Sequence, residues 1–524
     1  MSLTACRSKA GVPSGPPVVP QISAILTLSG VTRANGRRLF DSSALAFTVL
    51  GGIMRLGVIV LAAGEGKRMR SQKPKVLHPV AGLPMVRHVL NTAADLGAVA
   101  VAIVVSSDAD QIREALGNDV LYVVQEKQLG TGHAVAQARE ILEKRTDTVA
   151  VLYADMPLLT VETLQRLLRL HRRARPPTIA LLTVSSEDSM GFGHILRDRR
   201  ERVVGIVEEA DATEEQLRIP ELNCGVYCFR SDWLWSHVDS IPVSQTGEYY
   251  LTDLIEMAVR EGKRVEALRI DDVAQVQGVN TRAHLSRAEA IMRRRVCARL
   301  LDGGVTLTDP DTTYVDVTVE VGPDTVIQPN TYLWGRTSIG NACVIGPNTI
   351  IRGSVIGDRC TVLASVVEEA VLEDDVDVGP FGHLRKGAHL AAGVHMGNFG
   401  EVKNSYLGAG TKMGHFSYVG DATLGQEVNI GAGTVTCNYD GKQKHRTTVE
   451  DRVFVGSGTM LVAPVVVGAG TVIGAGSVVT HDLPPDSVAY GVPARTQAKG
   501  ETGEGAPDEA EPNETDNSDK DQGQ

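Results

Sequence analysis

A run of small residues ends in two cations: Leu61-Ala62-Ala63-Gly64-Glu65-Gly66-Lys67-Arg68-Met69, with Pro74-Lys75 close behind. Small side chains let main-chain N–H groups approach phosphates or a base. Arg68 and Lys75, just past such a loop, suit the charge of a triphosphate. Met69 stands where a dinucleotide fingerprint has its third glycine, and Lys67-Arg68 replaces the Lys-Ser/Thr of a Walker A loop, so neither motif is present. Further on, Tyr153-Ala154-Asp155-Met156-Pro157 puts a carboxylate at the end of an apolar run. Asp-x-Pro also makes turns, but the carboxyl edge of a buried strand is where open α/β sheets bind ligands. A second reactive set lies in residues 381–447: Arg385, Asn398, Glu401, Lys403, His415, Tyr418, Asn429, Asn438, Tyr439 and Lys444. His415 is the best base among them, because imidazole accepts a proton near neutral pH.

Two different scaffolds must hold these sets. Residues 57–275 alternate strand-like runs with helical ones. Strands are expected at 57–61, 99–105, 121–124, 148–153 and 178–184, with amphipathic helices at 84–96 and 161–171. Such alternation predicts a mostly parallel sheet with helices on both faces. From about residue 320 to 480 the period becomes six. Aliphatic residues recur at Val378, Leu384, Leu390, Met396 and Val402, and Ile-Gly or a similar pair marks Ile339, Ile345, Ile356, Leu407, Met413, Leu424, Ile430, Val467 and Ile473. A hexapeptide period marks a parallel β-helix, whose coils bury an apolar interior only by stacking. The segment 431–441 departs from the coil as a loop, the kind of place where function concentrates. Six residues advance one face of a three-sided coil, so His383, His389 and His395 point in different directions and cannot share a metal within one chain.

Composition fits two folded bodies. The chain has 524 residues, a net charge of −11, 43% hydrophobic residues and only 4% aromatics. Residues 501–524 hold nine acids and one base, so most of the negative charge sits in this tail. With almost no apolar residues it is expected to be a solvated, disordered extension. No basic run points to nucleic acid, and the apolar stretch 44–53 is too short to span a bilayer. Seven cysteines (Cys6, Cys224, Cys228, Cys297, Cys343, Cys360 and Cys437) are odd in number and scattered. That is the usage of free thiols in a reducing cytoplasm. The expected division is a disordered leader or mis-annotated start at 1–53 with Met54 the true start, an α/β domain at 54–281, an exposed basic linker helix at 282–303, a β-helix at 304–495, and the acidic tail at 496–524.

The motifs LAAGEGKRM and PKVLH resemble those of sugar-1-phosphate nucleotidyltransferases. So do Gln125, Gln128-Leu129-Gly130-Thr131-Gly132-His133, Tyr153–Pro157, Gly191-Phe192-Gly193, Ile206-Val207-Glu208, Asn223, the run Gly247–Asp253 and Gly278-Val279-Asn280. With a hexapeptide β-helix attached, residues 54–495 resemble the bifunctional N-acetylglucosamine-1-phosphate uridyltransferase and glucosamine-1-phosphate N-acetyltransferase family. The resemblance implies a Rossmann-like α/β nucleotidyltransferase domain followed by a left-handed parallel β-helix. It implies that acetyl-CoA acetylates glucosamine 1-phosphate, and that UTP then reacts with N-acetylglucosamine 1-phosphate to release pyrophosphate and supply a cell-wall precursor. It further implies Mg²⁺, a cytoplasmic homotrimer, and an acetyltransferase site between neighbouring β-helices.

Residue by residue, the resemblance assigns Leu61, Ala62, Ala63, Gly64, Lys75, Gln125, Gly130 and Thr131 to the uridine nucleotide. It assigns Tyr153, Gly193, Glu208 and Asn223 to the amino sugar, and Asp155 and Asn280 to Mg²⁺. One carboxylate and one carboxamide suit an ion that keeps several waters and substrate phosphates. Arg68 and Lys75 are expected to neutralise charge as pyrophosphate leaves. In the β-helix, His415 is the expected base with Glu401 orienting it. Arg385, Lys403 and Lys444 clamp the sugar phosphate, and Tyr418 and Asn429 hold the sugar. Asn438 and Tyr439 lie by the reacting amine and thioester. Ala432, Ser457 and Ala475 line the acetyl-CoA slot, and Arg495 reaches the CoA phosphates. Ala154 departs from the usual glycine, and its methyl is expected to crowd the sugar. Two other readings compete: a β-helix that is only a trimerisation scaffold, and a nucleotidyltransferase for another sugar or nucleotide.

Overall fold

The computed structural model describes residues 54–498 apart from Glu65, Asp119, Gln245 and Thr246. The expectations for residues 1–53 and for the acidic tail from 499 onward lie outside the described residues.

The N-terminal body is built on a sheet whose main path runs Val265–Ile270, Ile179–Ser185, Glu221–Arg230, Thr148–Tyr153, Leu56–Leu61, Ala100–Ser106, Leu121–Gln125. Neighbours are parallel except Glu221–Arg230, which is antiparallel to both of its own. The central strand LGVIVL is apolar throughout because both of its faces are covered. Val58 and Val60 pack in one core with Val86, Leu90, Leu164 and Leu168; Ile59 faces a second core with Val149, Val151, Leu254 and Phe229. The helix Val161–His171 starts where Thr160 accepts the Thr163 N–H at 3.3 Å.

The helix Arg282–Asp302 corrects the expectation of an exposed arm. Its apolar residues form two successive patches. Leu285, Ala288, Ile291 and Met292 pack with Val80, Met85, Leu158 and Val279 of the first body. Val296, Cys297 and Leu300 join the core of the second. Because the partner changes along the helix, the apolar residues do not keep to one stripe, and the arginines between them give the sequence its exposed look. The junction is hydrogen-bonded as well. Glu289 accepts the Ala81 N–H at 2.6 Å, the Val317 N–H donates to the Ala81 carbonyl at 3.0 Å, and Arg299 donates to the carbonyls of Val317 and Val319.

The second body is a three-sided parallel β-helix. Its first face begins at Thr306–Leu307, its second at Thr313–Val315 and its third at Glu320–Val321, and each coil adds one short strand per face. On the first face Ile327, Ile345, Val362, Val378, Met396, Met413, Ile430, Val455 and Ile473 stand in register and are buried. Burying each such side chain contributes about 1.5–3 kcal/mol, and only the stack provides the burial. The paired residues Lys412 and Asn429 are 17 apart, but Asn429 and Phe454 are 25 apart. The longer coil accommodates the loop at 438–446. His383, His389 and His395 fall on the second, third and first faces, as the period requires, and each meets a carboxylate of the preceding coil: Glu368, Glu373 and Asp377. The stack ends in an antiparallel hairpin, Ser487–Gly491 with Ala494–Ala498, which runs past the expected boundary at 495.

Candidate functional sites

A cavity of about 340 Å³ opens at the carboxyl edge of the N-terminal sheet. Leu61, Ala62, Ala63, Gly64, Lys75, Gln125, Gly130, Thr131, Tyr153 and Asp155 line it, together with Val76, Gln128, Ala134 and Glu248. Strand ends deliver the first three and Tyr153. Gln125 is buried and held by its amide, which donates to the Gly130 carbonyl at 3.1 Å and meets His133 Nδ1 at 2.9 Å. Gln128 donates to the Ala63 carbonyl at 2.6 Å and so braces the small-residue loop. Gly130 has φ +101°, and a Cβ there would lie 2.7 Å from the Tyr249 carbonyl oxygen. Only glycine lets the 247–253 segment dock so closely on this turn.

Asp155 Oδ2 and Asn280 Oδ1 converge on one cation. That cation is Lys75, whose Nζ lies 2.6 Å from the first and 3.0 Å from the second. Two oxygens from distant parts of the chain, aimed at a single positive point on the rim of a phosphate-sized cavity, fit a hard divalent ion that keeps its other positions for water and phosphate. Lys75 holds that point here, and a metal ion could not occupy it at the same time. Arg68 is exposed on the turn Lys67–Met69, outside the cavity lining.

The sugar end gathers around Tyr153. Burial first, then the carboxylates of Glu208 and Asp155, push its phenol well above the ordinary range, so it stays protonated. A Cβ on Gly225 would lie 2.8 Å from the Tyr153 ring. Gly225 belongs to an irregularity in the Glu221–Arg230 strand, between Asn223 and Tyr227. Asn223 donates to the Tyr227 hydroxyl at 2.7 Å, and its N–H donates to the Gly193 carbonyl at 2.8 Å. Glu208 accepts from Thr252 at 2.8 Å. Gly193, Glu208 and Asn223 therefore stand together beyond the cavity lining. The Ala154 methyl is fully buried in the core and is not among the residues lining the cavity, which speaks against the expected crowding of the sugar.

In the β-helix the candidate residues fall into two groups at opposite edges of the second face. At one edge, where the first face turns into the second, stand exposed His415 and, one coil after another, Ala432, Ser457 and Ala475. The Gly458 N–H bonds the Ala432 carbonyl and the Gly476 N–H bonds that of Ser457, each at 2.7 Å. The column continues to the final hairpin, where Tyr490 pairs with Arg495. At the other edge, Arg385, Lys403 and Lys444 meet. Direct contact with Lys444, then its charge and that of Arg385, press the Lys403 ammonium below the usual lysine range. A bound phosphate would relieve that repulsion. Between the edges Tyr418 lies back over Gly420, where a side chain would strike its hydroxyl.

Glu401 accepts from Arg385 at 2.8 Å, so within one chain it orients that cation and not the expected His415. Asn429 lies on the first face, in register with Lys412 and Phe454, and one chain does not bring it beside Tyr418. Tyr439 is exposed on the loop. Asp440 locks that loop: the Gln443 N–H, His445 and the Lys442 N–H hold its carboxyl down at about 2. The sequence reading missed Gln128 and Glu248 as lining residues, although both lie inside motifs it quoted. It also missed Asp421, which accepts from Asn438 at 2.5 Å and from Asn404 at 2.6 Å. Among the described residues no helix is long and apolar enough to cross a membrane, and the six described cysteines are free.

Residues 58–217 match the MobA-like NTP transferase domain family. Residues 318–353 and 446–481 match the bacterial transferase hexapeptide (six repeats) family, and the stretch between the two matches holds Arg385 through Lys444. The chain is 46% identical over 432 residues to the bifunctional protein GlmU of Heliobacterium modesticaldum, covering 82% of this chain and 94% of that one. It is 45% identical over 449 residues to the bifunctional protein GlmU of Trichlorobacter lovleyi, with 85% and 97% covered. With that of Enterococcus faecalis the identity is 45% over 410 residues, with 78% and 89% covered.

Proposed function

The chain belongs to the GlmU family of bifunctional proteins, and from that premise we propose how its two halves divide the work. It is a bifunctional enzyme of UDP-N-acetylglucosamine synthesis, a nucleotidyltransferase and an N-acetyltransferase in one chain. It acts on a nucleotide, sugar phosphates and an acyl-CoA, and its nucleotidyltransferase half requires a divalent metal.

UTP enters the cavity lined by Leu61–Gly64, with Gln125, Gly130 and Thr131 on the uridine. N-acetylglucosamine 1-phosphate lies against Tyr153, Gly193, Glu208 and Asn223. Asp155 and Asn280 would hold Mg²⁺, which when bound offsets phosphate charge and fixes phosphate geometry. The sugar phosphate oxygen attacks the α-phosphorus in line and pyrophosphate leaves, with no covalent enzyme intermediate. Lys75 then has a second use. Displaced from Asp155 and Asn280, its ammonium is free to meet the phosphates beside Arg68.

In the β-helix, Arg385, Lys403 and Lys444 clamp glucosamine 1-phosphate. Tyr418 and Asn429 hold its ring, and Asn438 and Tyr439 stand by the amine and thioester. Acetyl-CoA runs along Ala432, Ser457 and Ala475 with its phosphates toward Arg495. The amine lone pair attacks the thioester carbonyl carbon, the C–S bond breaks, and the proton given up by nitrogen passes to His415 and on to the departing sulfur. The two edges that hold base and clamp are separated by the whole second face, which supports a site completed between neighbouring copies in a homotrimer. Exposed Phe381, Phe399 and Phe416 beside the His415 edge suit such packing. Free thiols and these substrates fit the cytoplasm.

The observation that carries the two-site reading is the gathering of Arg385, Lys403 and Lys444 at one edge of the β-helix, a second set of cations on a body remote in sequence from the nucleotide cavity. The test is thiol release from acetyl-CoA with glucosamine 1-phosphate. Release that depends on the sugar and disappears in His415→Ala is expected. No release from protein that still forms UDP-N-acetylglucosamine would reduce the β-helix to a scaffold.

A further inference from the structure

Asp421 ends the second-face strand Ser417–Gly420 in a left-handed turn, φ +49°, and is only 7% exposed. Its two oxygens are divided between two carboxamides. Oδ1 accepts from Asn404 at 2.6 Å and Oδ2 accepts from Asn438 at 2.5 Å. Lys444 Nζ is 4.0 Å from Oδ2, too far for a hydrogen bond. Main-chain bonds tie the same turn to the coil before, through the Lys403 carbonyl, and to the coil after, through the Thr447 N–H.

A nearly buried charge is costly even with Lys444 at ion-pair distance. Asparagine would suit a left-handed turn at least as well and would carry no charge. What asparagine cannot do is refuse to donate. A carboxylate only accepts, so it fixes which end of each neighbouring amide faces it. With its nitrogen bound to Asp421, Asn438 must present its carbonyl oxygen at its free end. An oxygen there accepts an N–H from an amine and leaves the nitrogen lone pair free to attack. An amide turned the other way would present N–H groups and compete for that lone pair.

We propose that Asp421 is a positioning residue for acetyl transfer: it locks the Asn438 carboxamide so that its oxygen holds the glucosamine amine in the attacking orientation. The inference rests on the acetyl-transfer reading of this face.

The experiment compares acetyl-transfer kcat and KM in Asp421→Asn, Asn438→Ala and the double variant of the full chain, with uridylyl transfer measured on the same preparations. Asp421→Asn should lower kcat about 10- to 100-fold, the loss typical when a group that orients a working ligand is removed. The KM for glucosamine 1-phosphate should move less than about threefold, since the clamp remains. The double variant should be no worse than Asn438→Ala, because Asp421 acts through that amide. Multiplying losses, or wild-type kcat in Asp421→Asn, would overturn the proposal. If Asp421→Asn does not fold, Asn404→Ala decides. It leaves the Asp421–Asn438 contact in place and should keep kcat within about threefold of wild type; a larger loss would make Asp421 a mere brace between coils. His415→Ala run alongside separates the two levels, since acetyl transfer that survives it overturns the site reading and this inference with it.

Discussion

Tyr153 and His415 stand on different ground. Tyr153 is enclosed by groups of its own chain: Gly225 against the ring, Glu208 and Asp155 near the hydroxyl, and a cavity lined from several strand ends. His415 is exposed at an edge, with the cation clamp across a full face from it. An α/β sheet gathers loops at one edge and closes a pocket unaided. A β-helix presents flat faces and straight edges, and concavity has to come from a neighbouring surface. On the proposed reading the nucleotide site is complete within one chain, while the acetyl site is one wall.

The strongest test of that contrast removes the metal or the carboxylate proposed to hold it. Chelation by EDTA, or Asp155→Ala, should cut uridylyl transfer on the order of 10³-fold and leave acetyl transfer untouched, read by pyrophosphate release against thiol release. Loss of both activities would mean that the halves are not independent. The mirror variant, His415→Ala, should lower acetyl transfer about 10²- to 10⁴-fold with uridylyl transfer unchanged. Dilution probes the open face directly. Acetyl transfer per chain should fall several-fold once copies dissociate, and uridylyl transfer should stay constant; both activities followed alongside sedimentation would sink the one-wall picture if they fell together.

Smaller effects sharpen the first half of the comparison. Gly130→Ala forces a side chain into a left-handed conformation against the Tyr249 backbone and should destabilise the N-terminal body by about 1–3 kcal/mol, seen as a lower urea midpoint with its far-UV signal. Ala154→Gly should change the KM for the sugar phosphate by less than about threefold, because the methyl is in the core. A larger change in steady-state KM would return Ala154 to the sugar site.

These residues also mark how far the sequence could be read. Thr148–Tyr153 and Val161–His171 were legible to the residue, because a buried apolar run and a one-sided helix each leave a plain pattern. The divergence of His383, His389 and His395 followed from the period alone. The helix Arg282–Asp302 was legible as a helix joining the two bodies, but not its burial, because its apolar residues serve two partners in turn. Asp421 was invisible for another reason. It reaches Asn404 and Asn438 only through coil stacking and a left-handed turn, and neither leaves a local mark. The pairing of Glu401 with Arg385 likewise depends on which residues share a face in adjacent coils.

The two ends of the β-helix have a consequence for how the protein behaves in bulk. A parallel coil offers at each end a fresh rim of unpaired backbone, which is a template for an identical rim. Here Val296, Cys297 and Leu300 of the long helix seal the lower rim against Val305 and Leu307. At the upper rim Ala494–Ala498 runs antiparallel to Ser487–Gly491 and breaks the repeat of the first sheet. Among the described residues, a tube that could grow head to tail into a filament is thereby given a fixed length, and light scattering at high concentration is expected to show no growth in particle size.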